Sequence, residues 1–272
     1  MKQQRTVYID GDFLPYRIGS VVQRTIYRLE TEGRISGPFL TTRSKRLVNK
    51  YLKINPDFIV SEYFFIEEPV QVIETLKTYI QGIVQGSNCT NFKMCMSGET
   101  NFREEVATIL PYKENRSGSE KPYYFDMIRE WLLDKPYTIV SENEEADDVI
   151  SKALMQGHVG SSPDKDLKNT PGDHYNFLTN KSYTITEDEA SINFYRQMLT
   201  GDKTDNIPGI KGIGPVKAAQ IVKEEDSPME RELAVWRVYR EHYDKEIEAM
   251  TEVGQLLWMR REDNEMWKPR WV

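Results

Sequence analysis

Strand-like and helix-like segments alternate along residues 6–199, and this order constrains the fold more than any other feature. Residues 69–85 carry apolar side chains at steps of three and four, which is typical of an amphipathic helix. Residues 6–12 and 92–96 have the pattern of strands, and residues 174–185 that of a hairpin. Chains that alternate in this way form α/β domains with a mainly parallel sheet. We therefore predict an α/β core with helices flanking the sheet.

Composition narrows the class of protein. The chain has 272 residues and a net charge of −7, which argues against a protein that coats nucleic acid by bulk positive charge. The two cysteines form no CxxC pair and the three histidines are scattered, so a Cys/His zinc site is not expected. No apolar run is long enough to span a membrane, and the N-terminus lacks the apolar region of a secretory signal. We expect a cytoplasmic protein, in the host cytoplasm if the chain is phage-encoded.

Acidic residues cluster where predicted elements end or begin. In an open parallel sheet, sites form beyond the carboxyl ends of the strands, so these acids could converge there. An all-oxygen cluster favours Mg²⁺, with Mn²⁺ as a substitute, over zinc. Two such ions can together activate a water and stabilise the leaving oxygen of a phosphodiester. The acids that stand at these positions are Asp10, Asp12, Glu142, Glu144, Glu145, Asp147, Asp148, Asp164, Asp166, Asp202 and Asp205.

A second interpretation applies to part of this cluster. Acids at the start of a helix also complement its dipole, and Glu142 and Glu144 are explained equally well in that way. Asp147 and Asp148 lie further into the predicted helix, so the dipole accounts for them less well.

Residues 206–222 have the pattern of a helix-hairpin-helix, in which glycines permit a tight turn between two short helices. Backbone N–H groups at the start of the second helix can hold a phosphate. Such binding needs no base contact, so it is independent of DNA sequence. The predicted DNA-binding residues are Lys203, Gly209, Lys211, Gly212, Gly214 and Lys217.

A polar stretch over residues 97–121 contains cations that could reach a scissile phosphate. Lys113 and Arg116 are the candidates, although such cations taken alone are more often part of a solvated loop.

Six motifs occur here in a fixed order: Asp10-Gly-Asp12, Asn101-Phe-Arg103, Tyr112-Lys-x-Asn-Arg116, Glu145-Ala-Asp-Asp148, Asp164-x-Asp166 and Gly201-Asp-x-x-Asp-Asn206. The hairpin follows them directly. In this order the chain resembles the flap endonuclease / 5′→3′ exonuclease superfamily, and in particular the bacteriophage exonucleases of the gene 6 type. The resemblance spans residues 6–222, with a looser likeness in residues 254–271.

The resemblance implies a PIN-like (resolvase-like) fold with a C-terminal helix-hairpin-helix (H3TH) region. It implies a first metal ion at Asp10, Glu145, Asp147 and Asp164, with Asp148 nearby, and a second at Asp166, Asp202 and Asp205. Lys113 and Arg116 would contact the scissile phosphate from a mobile arch, with Arg103 close by. A K⁺ ion at the hairpin and a product with a 5′-phosphate are also implied.

The chain departs from the family pattern at one position. The family has an Asp four to six residues before the Phe-Arg pair, whereas here residues 97–100 contain Glu99 and no Asp. Glu99 could substitute from a shifted position, Asp12 could supply the ligand, or the ligand could be absent.

The resemblance divides the chain into a nuclease core (1–190, with the arch at 97–121), a helix-hairpin-helix region (191–225) and a C-terminal helical extension (226–272). The predicted enzyme is a monomeric Mg²⁺-dependent 5′→3′ exonuclease or flap endonuclease acting on duplex or branched DNA with 5′ ends. RNA–DNA hybrids and replication proteins are further expected partners. The alternatives are a duplex-DNA-binding module without catalysis and a PIN-like ribonuclease.

Overall fold

The fold was analysed in a computed structural model, which describes residues 5–31, 40–116 and 120–271. The strands are β1 (Thr6–Asp10), β2 (Gln23–Thr31), β3 (Leu40–Thr42), β4 (Phe58–Ile66), β5 (Asn91–Met96), β6 (Thr138–Val140), β7 (Val159–Ser161), β8 (Gly172–Asn176) and β9 (Lys181–Ile185). The helices are α1 (Leu14–Val22), α2 (Lys45–Ile54), α3 (Pro69–Gly86), α4 (Phe102–Val106), α5 (Phe125–Leu133), α6 (Ala146–Met155), α7 (Glu187–Thr200), α8 (Pro215–Ile221), α9 (Pro228–His242) and α10 (Glu246–Leu257).

The main sheet has six strands in the order β6-β5-β1-β7-β8-β9. All neighbouring pairs are parallel except β8 and β9, which form the predicted antiparallel hairpin. The carboxyl ends of β1, β5, β6 and β7 therefore meet at one edge. The prediction of an α/β fold with a mainly parallel sheet flanked by helices is confirmed.

Two apolar clusters hold the helices of this region. Helix α6 packs Ala146, Ile150 and Leu154 with Cys95 of β5. The larger cluster joins α7, α8, α9 and α10 and includes Trp267 from the C-terminal segment. Gly254 of α10 is needed there, because a side chain at this position would collide with the ring of Trp267. The C-terminal extension is therefore part of a core and not a free tail.

The chain divides into two compact units. Unit 1 comprises residues 1–12, 80–120 and 132–272, and unit 2 comprises residues 13–79 and 121–131. The predicted core (1–190) thus contributes to both units, and the helix-hairpin-helix and C-terminal regions group with the main sheet. The division of the chain by function stays a prediction.

Unit 2 contains an antiparallel sheet that the sequence analysis did not predict. Its strands have the order β3-β2-β4, and β2 pairs with β4 along nine residues from Gln23↔Ile66 to Thr31↔Phe58. Helix α2 packs Val48 against Tyr27 and Leu29 of β2. Elsewhere in this unit, the rings of Tyr16 and Phe125 lie 4.6 Å apart.

None of the described helices is both long enough and apolar enough to cross a membrane.

Candidate active site

The edge where the parallel strands end collects four carboxylates in unit 1. Asp10 ends β1, Glu145 is the N-cap residue of α6 with Asp147 in its first turn, and Asp164 follows β7. Burial of the Asp147 carboxyl raises its pKa well above the ordinary value, and the negative charges of Asp10, Asp164 and Glu145 raise it further. Its Oδ1 atom is buried and has no hydrogen-bond partner in the described structure. The fold therefore holds a carboxyl group with one unpartnered oxygen, and the charge of Lys113 offsets only part of the repulsion around it.

Short hydrogen bonds fix the acids on the β7 side. Ser162 Oγ donates to Asp10 Oδ2 at 2.7 Å and accepts from the backbone N–H of Asp164 at 3.0 Å. Asp164 Oδ1 in turn accepts from the N–H of Asp166 at 2.8 Å. Sequence reasoning missed Ser162. Its only signal was a small polar residue at the end of the strand-like segment 158–162.

A second group of acids gathers around the end of α7. Burial raises the pKa of Asp166 to about 7, assisted by the charges of Asp164 and Asp202. Gln197 donates to Asp166 at 2.7 Å. Burial alone would raise the pKa of Asp202, but the hydrogen bond from Lys165 at 2.7 Å, the charge of Lys165 and the backbone N–H groups of Thr204 and Asp205 together lower it. Lys165 and Gln197 were also missed by the sequence analysis.

Asp166 is expected to contribute less to the stability of the metal-free protein at pH 8 than at pH 5. Between about pH 4 and pH 7, folded Asp166 keeps a proton that the unfolded chain has released. The contribution of Asp166 to the free energy of unfolding therefore falls as the pH rises through this window. Urea unfolding in EDTA measures it, with Asp166→Asn as the comparison. A variant with the same pH dependence as the wild type would contradict the assignment.

Tyr112 and Lys113 connect the two groups of acids. Lys113 Nζ forms an ion pair with Glu145 and lies 3.7 Å from Asp205 Oδ2. The Tyr112 hydroxyl lies 3.1 Å from Glu145 Oε2 and 3.0 Å from Asp205 Oδ2. The backbone of Lys113 has φ +55° and donates to the carbonyl of Asp205 at 2.9 Å. Lys113 thus lies among the predicted ligands, as its assignment to the site requires, although the sequence analysis gave Tyr112 no role.

Arg103 and Asp148 lie in the interior, and this bears on the roles predicted for them. Both side chains are fully buried, and the guanidinium of Arg103 binds both carboxylate oxygens of Asp148 at 2.6 and 2.9 Å. The remaining Arg103 donors reach the carbonyls of Leu256 and Trp258. Burial alone would raise the pKa of Asp148, but Arg103 lowers it. The polar atoms of both residues are engaged inside the fold, and Arg103 Nη1 also lies 3.9 Å from Glu145 Oε2. Their assignments as a phosphate contact and a metal ligand stay predictions.

The remaining predicted site residues have fewer described contacts with the acidic groups. Asp12 accepts from the backbone N–H of Ser97 at 3.0 and 3.2 Å, which places it beside the end of β5. Glu99 is exposed in the segment after β5. Arg116 ends a single turn of 3-10 helix (Glu114–Arg116), and its side chain lies outside the described part of the structure. Whether Asp12 or Glu99 is a ligand stays a prediction.

The acidic groups supply the oxygen ligands that a hard cation prefers, but they do not form a complete coordination sphere in this structure. Among the described residues, no three acidic, His or Cys side chains lie close enough together to hold a metal ion as they stand. Lysine ammonium groups instead lie on Glu145 and Asp202. The donors are all oxygens, and the unpartnered oxygen of Asp147 is of the kind that a divalent cation satisfies. The site therefore fits Mg²⁺ or Mn²⁺ after the lysines shift.

The hairpin segment follows the second group of acids. Asp202 and Ile207 form an antiparallel bridge after α7, and the N–H of Ile210 bonds to the carbonyl of Leu199 at 2.8 Å. Gly212 has φ +81°, a conformation that favours glycine, and Gly214 is the N-cap of α8. Exposed members of the predicted DNA-binding set are Lys203, Lys211, Gly212, Gly214 and Lys217, and Gly209 is half-buried.

Comparison with solved structures places this arrangement among known folds. A bacteriophage T5 5′-exonuclease with bound zinc ions is 17% identical and covers 93% of this chain and 86% of its own, with a TM-score of 0.55. A bacteriophage T5 flap endonuclease in complex with DNA and metal ions is 18% identical and covers 68% and 79%, with a TM-score of 0.53. At these identities the likeness concerns the fold.

Sequence comparison agrees. DNA polymerase I of Rhizobium leguminosarum is 34% identical over 163 residues, which is 51% of this chain and 16% of that protein. The Borreliella burgdorferi DNA polymerase I is 34% identical over 115 residues, covering 36% and 13%. The resemblance to the flap endonuclease / 5′→3′ exonuclease superfamily is confirmed. The chain spans less than a fifth of the length of these polymerases, and no family model matches it. It shares its fold with the T5 nucleases and a segment of sequence with these polymerases.

Proposed function

We propose that this chain is a Mg²⁺-dependent 5′→3′ exonuclease or flap endonuclease that hydrolyses phosphodiester bonds of duplex or branched DNA. The observation that carries the proposal is the buried Asp147 carboxyl, whose Oδ1 has no hydrogen-bond partner in the described structure, beside Asp10, Glu145 and Asp164 at the carboxyl edge of the sheet. Repulsion and burial there leave a deficit of positive charge, which divalent cations would remove. The shared fold with phage T5 5′-exonuclease supports this assignment.

Two groups of residues would hold two Mg²⁺ ions, with Mn²⁺ as a substitute. Asp10, Glu145, Asp147 and Asp164 would hold the first, and Asp166, Asp202 and Asp205 the second. When bound, such a pair supplies a water of lowered pKa and charge neutralisation at the leaving oxygen. Ser162 and Tyr112 hold their carboxylate partners in place through the hydrogen bonds described above.

The chain's own cations and hairpin would position the substrate. Lys113 lies on Glu145, where its ammonium can also meet a phosphate oxygen of the scissile bond. The exposed glycines and lysines of residues 203–217 would grip the duplex backbone without reading its sequence. A K⁺ ion at this hairpin, 5′-phosphate products, RNA–DNA hybrids as further substrates and a monomeric state belong to the same proposal. The proposal also includes a role in phage DNA replication, primer removal or recombination, together with replication proteins.

A time course on linear duplex DNA tests the function. One sample carries a label at the 5′ end and another at the 3′ end, each with Mg²⁺ and with EDTA. Early release of the 5′ label with Mg²⁺ alone would establish the exonuclease. Cleavage only when a 5′ flap is supplied would establish the flap endonuclease.

Two outcomes would contradict the proposal. Tight binding of both substrates without cleavage would favour a binding module. Faster cleavage of single-stranded RNA than of nicked duplex DNA would favour a ribonuclease.

Lys113→Ala is expected to slow cleavage about 100-fold while changing DNA affinity much less, because its ammonium acts on charge that develops during reaction. Single-turnover rates and equilibrium binding in EDTA separate the two effects. Lys181→Ala, an exposed lysine on β9, is the matched control and should behave like the wild type. Equal losses of rate and affinity in Lys113→Ala would mean that Lys113 only positions DNA.

A further inference from the structure

One face of the antiparallel sheet in unit 2 has an unusual composition. In the β2–β4 register, Arg24 lies opposite Phe65 and Ile26 opposite Tyr63. Side chains alternate between the faces of a strand, so these four residues share one face. We call it the Tyr63–Phe65 face.

The opposite face is the one that helix α2 covers. Tyr27 and Leu29 point to that side and are buried with Val48 of α2. On the Tyr63–Phe65 face, Tyr63 is 44% exposed and Phe65 is 46% exposed. Strand β4 also exposes Phe64, at 56%, on the α2 side. Among the described residues of this sheet, the buried apolar cluster is the one beneath α2, and it includes neither Tyr63 nor Phe65.

The spacing and charge of this face match a nucleic-acid strand. Tyr63 and Phe65 are two residues apart on one strand, so their Cα atoms are about 7 Å apart. That separation allows successive bases of an extended strand to stack, one on each ring. The guanidinium of Arg24 lies 5.9 Å from the centre of the Phe65 ring, where it can meet a phosphate beside a stacked base.

The charge of the unit agrees with an anionic ligand. Although the whole chain carries −7, unit 2 contains twelve Lys and Arg against nine Asp and Glu. Stacking on exposed sheet aromatics is a recurrent way to hold unpaired bases, because every base has a planar face. A duplex hides those faces within its own stack. The chemistry of this face thus favours a single strand over a duplex.

We propose that the Tyr63–Phe65 face binds single-stranded nucleic acid by base stacking, with Arg24 contacting the backbone. This goes beyond the proposed function, because it is binding at a second site, made of residues that take no part in the carboxylate cluster. It requires no metal ion and no cleavage.

The test is binding of a fluorescent oligo-dT of about 12 nucleotides to the full chain in EDTA. Tyr63→Ala/Phe65→Ala is expected to weaken affinity at least about tenfold, since each ring stacks one base. Tyr63→Phe/Phe65→Tyr keeps both rings and should bind like the wild type. Phe64→Ala is the matched control, because Phe64 is 56% exposed on the same strand but points to the other face.

Several results would overturn the proposal. These are an unchanged affinity in Tyr63→Ala/Phe65→Ala, an equal loss in Phe64→Ala, or an equal loss of duplex binding. Self-association that disappears in the double variant while oligo-dT binding persists would assign the face to a second copy of the chain instead.

One measurement needs no variant. The wild type should bind oligo-dT at least about tenfold more tightly than an abasic strand of equal length, and no preference would refute stacking. Cleavage of duplex 5′ ends by the double variant should match the wild type. The cleavage assay tests the proposed nuclease function and the binding assay tests this face, so a failure of one is distinguishable from a failure of the other.

Discussion

Replacing Asp147 with asparagine is expected to reduce cleavage by about 1,000-fold or more while leaving DNA affinity nearly unchanged. Asparagine keeps the size of the side chain but removes the charge that would attract a metal ion at the centre of the first group. The hairpin, which would supply most of the grip on DNA, lies elsewhere in the chain. Single-turnover cleavage with Mg²⁺ and binding in EDTA give the two quantities.

The same variant has a second readout that does not depend on activity. Burial and three neighbouring carboxylates raise the pKa of Asp147, so ionised Asp147 destabilises the metal-free fold at neutral pH. Asp147→Asn removes that charge and should raise the melting temperature in EDTA, by about 2–4 °C for each kcal/mol of relieved repulsion. Added Mg²⁺ should stabilise the wild type but not the variant.

Asp134→Asn is the control for both measurements, because Asp134 is an exposed acid that does not belong to the cluster. Its rate and its melting temperature should match the wild type. Wild-type turnover in Asp147→Asn would refute the metal assignment. A lower melting temperature in EDTA would show that the carboxylate has a partner in the fold.

Arg103→Ala is expected to lower the free energy of unfolding by about 3–5 kcal/mol, because it leaves the buried Asp148 carboxylate without its partner. Arg103→Met/Asp148→Leu removes both charges and should recover much of this loss. Urea unfolding measures all three proteins. Arg5→Ala is the matched control, since the Arg5–Asp173 pair is 42% exposed on each side and should contribute less than about 1 kcal/mol.

The rate of cleavage then distinguishes a structural role of Arg103 from a catalytic one. At a temperature where Arg103→Ala is folded, its turnover should fall far less than that of Asp147→Asn. A variant that is as stable as the wild type but inactive would return Arg103 to the catalytic group.

The alternation of strands and helices predicted the main sheet, since each apolar run there is short and bounded by polar turns. It also predicted the edge of the sheet where Asp10, Asp147 and Asp164 would gather. The sequence could not tell Asp147 from Asp148. Adjacent residues on a helix point about 100° apart, so one faces the acids and the other faces the interior. Only the position of Arg103, forty-five residues earlier, decides which is which.

The antiparallel sheet could not be predicted for a different reason. Strand β4 carries apolar residues on both faces, including Phe64 and Phe65, so it lacks the alternation that marks a half-buried strand. The sequence gave no reason to assign Tyr112 to the site, because an aromatic residue next to a lysine is typical of ordinary packing. Its hydroxyl joins Glu145 to Asp205, which are sixty residues apart in the chain.

The lysines that lie on Glu145 and Asp202 have a consequence for how the protein matures. In small zinc domains the metal is a condition of folding, and a chelator unfolds them. Here internal ammonium groups and retained protons already offset part of the repulsion among the acids. The chain can therefore reach its native state before it meets an ion. If ions bind as proposed, loading would be a late and reversible step, and chelation would silence the proposed activity while leaving the architecture intact.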